Sequence, residues 1–200
     1  MHVRAPAILI AARAHGETAL VARLLTEDYG VVAGYVAGGR GRRLRPVAIP
    51  GNVVDLQLSA RSDSQLPFAR IELIGSRGPW LGEPLPAAAI GWTCALTATA
   101  LPERQPFPQL HAALGGLLDA ICHAPSAREW AGALVGYEAL LLRELGYGEG
   151  AVRPVGELPE VLAAMDRLAG PLQRYLLADR RGDVMAARAR LRDMLGRIAE

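Results

Sequence analysis

Short apolar runs broken by turn-forming residues fill the first 77 positions. Residues 7–12 form one run, ended by His15-Gly16, and residues 18–25 form the next, followed by the turn-prone Glu27-Asp28-Tyr29-Gly30. Residues 31–37 are rich in β-branched and aromatic side chains and stop at Gly38-Gly39. Pro50-Gly51-Asn52 is a strong turn signal. Beyond it Val54, Leu56 and Leu58 alternate with Asp55, Gln57 and Ser59, the period of two expected of a half-buried strand. After the polar break Ser62-Asp63-Ser64-Gln65, Ala69, Ile71 and Leu73 alternate with Arg70 and Glu72. Five short strands in this space predict a small closed β-barrel, because closure removes sticky strand edges. An OB-fold has five strands and about this length.

Gly78-Pro79, Pro84 and Pro86 mark a boundary, and the texture beyond it is helical. The expected organisation is therefore α+β: residues 1–78 as an OB-fold barrel and residues 79–200 as an all-helical domain. Helices are predicted over 87–101, stopped by Pro102, and over 108–122, bounded by Pro125. Ser126 with Glu129 three residues on reads as a capping box opening a helix that runs to Leu145, with Gly146 as its C-cap. Within it Trp130, Leu134, Tyr137, Leu141 and Leu145 recur at spacings of three and four. Segments 160–169, 171–177 and 183–198 complete the bundle, the last with Asp183 as N-cap.

Composition narrows the classes. Of 200 residues, 51% are hydrophobic and 21% charged, which supports a packed core rather than disorder. No apolar run approaches the roughly 20 residues of a membrane-crossing helix. The N-terminal run imitates a secretion signal, but Pro6 interrupts it and only Arg4 precedes it as a basic residue, so export is not expected. Two cysteines, Cys94 and Cys122, are too few for a disulfide framework or a cysteine-rich zinc site, and a reducing, cytoplasmic setting is the simplest reading. The net charge of +2 is unevenly spread: residues 1–80 hold 10 Arg against 6 acids, and residues 81–200 hold 12 Arg against 14 acids. All the basic residues among these are arginine; lysine does not occur.

Catalytic patterns are missing. There is no Gly-rich loop ending in Lys-Ser/Thr and no G-x-S-x-G elbow, and His2, His15, His111 and His123 have no metal-ligand spacing. The chain is read as non-enzymatic, without cofactor or metal. The one dense polar feature is Gly38-Gly39-Arg40-Gly41-Arg42-Arg43-Leu44-Arg45, with four arginines in six residues. Arginine grips phosphate with paired donors, and glycine lets the backbone come close. Placed between the third and fourth strands, the segment is expected to be a mobile loop beside a groove, suited to a phosphate backbone. A solvated basic turn is the bland alternative. Arg13, Arg23, Arg61 and Arg70 are scattered through the same domain. Tyr29, Tyr35 and Phe68 are its only aromatic residues, and with Tyr35 read as core, backbone electrostatics rather than base stacking is expected to dominate.

Several segments, in order along nearly the whole chain, carry a resemblance. They are Ala7-Ile8-Leu9-Ile10 with Arg13 and His15-Gly16-Glu17; Leu24-Leu25-Thr26-Glu27-Asp28-Tyr29-Gly30; the Gly/Arg loop; and Pro50-Gly51-Asn52 leading into a strand that ends at Arg61. Further on come Leu101-Pro102-Glu103-Arg104, Tyr137-Glu138-Ala139-Leu140-Leu141-Leu142 running into Leu145-Gly146-Tyr147-Gly148, and Ala187-Arg188-Ala189-Arg190-Leu191. In this the sequence resembles the RecO family of bacterial recombination mediators. The resemblance implies an N-terminal OB-fold, a helical C-terminal domain and no catalysis. It implies binding of single- and double-stranded DNA, strand annealing, partnership with RecR, help in loading RecA, and contact with the C-terminal tail of single-stranded DNA-binding protein. The candidate DNA-binding residues are Arg40, Arg42, Arg43, Arg45, Arg13, Arg23 and Arg61. A pocket for the acidic tail would be apolar and ringed by arginine, with Arg128, Arg143, Arg188 and Arg190 eligible. Many relatives carry a four-cysteine zinc site just after the Leu-Gly-Tyr-Gly segment, whereas residues 149–156 here contain no cysteine. The alternative function is a protein-interaction scaffold whose OB-fold does not itself bind nucleic acid.

Overall fold

Strands β1 (His2–His15), β2 (Ala19–Thr26), β3 (Gly30–Val36), β4 (Val53–Ser59) and β5 (Phe68–Gly75) precede five helices in a computed structural model that describes residues 2–60, 62, 65–148, 156–178 and 184–199. The strands close into a barrel in the order β1-β2-β3-β5-β4, with β4 pairing back onto β1. All pairings are antiparallel except β3 with β5, the order and polarity of an OB-fold.

The period-two pattern becomes the barrel interior. Leu9 faces Leu24, Leu24 faces Val32, Ala7 faces Val54 and Leu56 faces Ile71, and all of these side chains are buried in one cluster. The first strand is longer than the apolar run 7–12. Its first half pairs with β4 and its second half with β2, and a register shift between Leu9 and Ala11 turns the corner. Pro6 does not end it, because at that position β1 pairs with β4 alone and the other side is an edge, where a missing N–H costs little.

The segment between β3 and β4 is folded rather than the mobile loop expected. Leu44 is buried at one end of the barrel, and Val47 and Ala48 pack beside it. Consecutive turns run through Gly41 N–H to Gly38 O, Arg45 N–H to Gly41 O and Ala48 N–H to Leu44 O. Asn52, fully buried, donates from its amide to the carbonyls of Pro46 and Val47 at 3.0 and 3.1 Å and accepts the Arg77 N–H at 2.8 Å.

Two compact units are distinguished, Met1–Gly82 with Leu101–Pro108, and Glu83–Ala100 with Gln109–Glu200. In the first, residues 101–108 lie against the β2–β3 turn: Arg104 N–H donates to Val31 O, and Arg23 meets Glu103 at 2.8 Å. In the second, α1 (Pro84–Ala100), α2 (Pro108–His123), α3 (Ala127–Glu144), α4 (Leu158–Pro171) and α5 (Val184–Ala199) form the helical unit, α4 running on into a π-helical turn at Leu172–Leu176. Trp130, Leu134, Tyr137 and Leu141 of α3 are buried as their spacing predicts. The capping box does not form: Ser126 is the N-cap, but its hydroxyl makes no cap hydrogen bond, and the Glu129 N–H reaches only the Ser126 carbonyl. At the other end Leu145 is the C-cap and Gly146 follows with φ +85°. Gly146 N–H donates to Arg143 O and Tyr147 N–H to Leu142 O, a Schellman closure that glycine makes without strain. The expected N-cap Asp183 and the zinc-site segment 149–155 lie outside the described residues.

The core of the helical unit is polar at one point. Arg188 of α5 donates to both carboxylate oxygens of Glu138 on α3, at 2.8 and 2.7 Å, and to the Met165 carbonyl of α4. Trp92 Nε1 of α1 donates to the same carboxylate at 2.8 Å. Four helices are thus registered by one buried ion pair.

Candidate nucleic-acid interface

The arginine-rich loop starts where two turns meet. Arg40 donates from Nη1 to the carbonyls of Gly16 and Glu17 at 3.1 and 3.0 Å, and its own N–H donates to Thr18 O. Its side chain pins the loop to the β1–β2 turn while remaining exposed. Arg42, Arg43 and Arg45 project from the turns around the buried Leu44, are exposed, and have no carboxylate partner among the described residues. A buried anchor between exposed arginines presents three uncompensated guanidinium groups on a hydrogen-bonded frame.

The other candidate arginines are placed differently. Arg13 is exposed near the end of β1, opposite Val21 of β2, and likewise has no carboxylate partner among the described residues. Arg23 is half-buried and directed at Glu103 and the Leu101 carbonyl, so much of its charge is neutralised within the unit. Arg70 lies against Glu72 at 2.9 Å and Arg4 against Asp55 at 3.4 Å; both pairs are exposed, and such pairs are weak enough to exchange partners. Arg61 lies outside the described residues.

The aromatic residues form a feature that reading the strands one by one misses. Tyr35 is not core: Val32, Gly34 and Val36 face the barrel interior, and Tyr35 points outward, half-exposed. It is the residue of β3 that pairs with β5, opposite Phe68, at the parallel seam that closes the barrel. The two rings meet edge to face, with centroids 5.3 Å apart and an interplanar angle of 79°, and His15 approaches Tyr35 on the other side at 5.8 Å and 88°. An edge-to-face pair contributes about 0.5–1.5 kcal/mol beyond its buried area. Phe68 is nevertheless 63% exposed. A groove of about 570 Å³ runs past it, lined by His2, Arg4, Gln57, Ser59 and Arg70 among others. Tyr29, in contrast, sits at the opposite end of the β2–β3 hairpin. The signal was present in the sequence as the shared outward parity of Tyr35 and Phe68, but only the strand order makes them neighbours.

The helical unit corrects one expectation. Arg188 cannot ring a solvent-facing pocket, because its guanidinium is buried against Glu138. Arg128 is exposed and donates to the Ile198 carbonyl, Arg143 lies beside Glu144, and Arg190 is exposed. Among the described residues, no three His, Cys, Asp or Glu side chains converge to hold a metal ion, and no helix is long and apolar enough to cross a membrane.

Comparison with known proteins agrees in both halves of the chain. The family model for the N-terminal part of recombination protein O matches residues 1–77, and that for its C-terminal part matches residues 84–148. The DNA repair protein RecO of Rhodospirillum centenum is 44% identical over 143 residues, covering 71% of this chain and 56% of the relative. That of Phenylobacterium zucineum is 41% identical over 144 residues, covering 71% and 58%. That of Caulobacter vibrioides strain NA1000 is 39% identical over 144 residues, with the same two coverages. The aligned part thus spans a little over half the length of these relatives.

Proposed function

The chain belongs to the RecO family, and from that premise we propose that it is a DNA-binding recombination mediator acting in DNA repair in the cytoplasm. Its barrel binds single- and double-stranded DNA and brings complementary strands together for annealing. With RecR it helps load RecA on single-stranded DNA, and its helical domain engages the C-terminal tail of single-stranded DNA-binding protein. The chemistry is non-covalent: annealing needs two polyanions to meet, and a cationic surface that neutralises phosphates lowers their repulsion without covering base edges.

The observation that carries this reading is the set of Arg42, Arg43 and Arg45, exposed and without carboxylate partners among the described residues, on a frame pinned by Leu44 and Arg40. Arg13 extends the same charge along β1. Arg40 acts chiefly as the pin, and Arg23 as a brace to residues 101–108, with their remaining donors adding to the field.

The test is the salt dependence of oligonucleotide binding by the wild type and by the triple variant R42A/R43A/R45A. Each contact with a single strand contributes about −0.7 to the log–log slope, so losing three flattens it by about 2. An unchanged slope and affinity would remove the loop from the interface.

A further inference from the structure

We propose that Phe68 is a base-stacking residue, which makes the barrel surface selective for unpaired bases rather than only for phosphate charge. The inference rests on the DNA-binding reading above and adds what the loop arginines cannot supply. Phosphate contacts do not distinguish a strand with bases from one without; a ring face does.

Four observations converge on Phe68. It is the most exposed large hydrophobic side chain among the described residues, at 63%, although it occupies a strand-pairing position with partners on both sides, Tyr35 and Ser59. Its ring is held by the Tyr35 ring at 79°, and Tyr35 in turn by His15, so the ring that a base would meet is preorganised. The groove beside it, about 570 Å³, is in the size range of ligand clefts and has Arg4 and Arg70 on its walls. Among the described residues those two arginines are engaged only in exposed ion pairs that a phosphate can displace.

Charge and register define the strand's path. Phe68, Tyr35, Val21 and Arg13 are successive lateral neighbours across β5, β3, β2 and β1. At about 4.8 Å per strand step this row is roughly 14 Å long, enough for a few nucleotides. At its β1 end, Arg40 is bonded to the turn that follows His15, so the row passes directly into the arginine loop. The occupant that fits a row with one exposed ring, flanking arginines and few free carboxylates is single-stranded nucleic acid. Glu17 is the one acid in the turn, and it is exposed to solvent. A base lying on Phe68 keeps its pairing edge free, so a strand held this way can still meet its complement. Tyr35 is the positioning residue, setting the Phe68 ring.

The experiment compares binding of the full chain to an oligothymidylate and to an abasic deoxyribose-phosphate strand of equal length, for wild type, F68A, F68W, Y35F and R42A/R43A/R45A. Circular dichroism melts confirm folding, which the exposure of Phe68 favours. The wild type is expected to prefer the strand with bases. F68A should weaken oligothymidylate binding by roughly 5- to 150-fold, the cost of one lost base stack, while leaving abasic and duplex affinities and the salt slope unchanged. F68W and Y35F should retain the preference, with tryptophan fluorescence of F68W quenched by the thymidylate strand and not by the abasic one. R42A/R43A/R45A should weaken both strands and keep their ratio. If F68A keeps both the affinity and the preference of the wild type, the stacking role is overturned while DNA binding stands. If the wild type retains neither strand at low salt, the DNA-binding reading fails and the stacking role falls with it.

Discussion

At the scale of single residues, the two positions with the sharpest consequences lie outside the proposed interface. Gly30 has φ +65°, and a Cβ placed there would sit 2.0 Å from the Gln105 carbonyl oxygen. Gly16 has a similar φ of +62° but open space around it. Gly16→Ala is therefore expected to cost only the left-handed strain of about 1 kcal/mol, and Gly30→Ala at least twice that, because residues 101–108 must also move. Urea unfolding of the two variants checks the difference; equal losses would mean that the segment does not bear on the turn. The second position is the ion pair in the helical core. Arg188→Ala leaves the buried Glu138 carboxylate with Trp92 Nε1 as its one side-chain donor among the described residues, and should cost about 3–5 kcal/mol in a melt. The double change E138M/R188M should recover part of that loss but not all, since Trp92 Nε1 loses the carboxylate it donates to.

At the scale of elements, the loop between β3 and β4 joins stability to function. Asn52→Ala would orphan the Pro46 and Val47 carbonyls and the Arg77 N–H together, a loss of about 2 kcal/mol or more. DNA affinity should fall with it although no charge is removed; measured affinity equal to wild type would show that the loop's frame is irrelevant to its arginines. Between α4 and α5, Arg192 hydrogen-bonds Asp166 and holds its carboxyl below the ordinary range. A carboxyl lowered in the folded state adds stability above its unfolded value, and that stability is lost as pH falls through the lowered one. Because the pair is exposed, the effect is under about 1 kcal/mol, and Asp166→Asn should show a correspondingly smaller loss of stability between pH 7 and strong acid.

The same elements show what the sequence makes legible. Alternation in β4 and in the first half of β5, glycine and proline at the turns, and the three-four spacing in α3 reflect local geometry, and the folded chain follows them; Leu73, which the alternation puts with Ala69 and Ile71, is exposed instead. Pro6 misleads because its tolerance depends on which neighbour β1 has there. Ser126-x-x-Glu129 misleads because the backbone N–H settles on a carbonyl instead of the hydroxyl. Leu44 looks like one apolar residue in a basic run, and only closure of the barrel beneath it turns it into an anchor. The aromatic row depends on β3 pairing with β5, residues 33 positions apart in sequence (35 and 68), a non-local fact that no window of sequence contains.

At the scale of the whole chain, the central claim is electrostatic. On the proposed reading, the barrel unit's arginines that have no carboxylate partner among the described residues lower the repulsion between two strands while their bases stay available, and no bond is made or broken. The most direct measurement is the rate at which two complementary oligonucleotides pair with and without the purified chain, at about 50 mM and about 200 mM salt, the range over which phosphate contacts lose most of their strength. The expected result is a clear acceleration at the lower concentration that fades at the higher one and is reduced in R42A/R43A/R45A. Pairing no faster than in buffer alone at the lower concentration would contradict it.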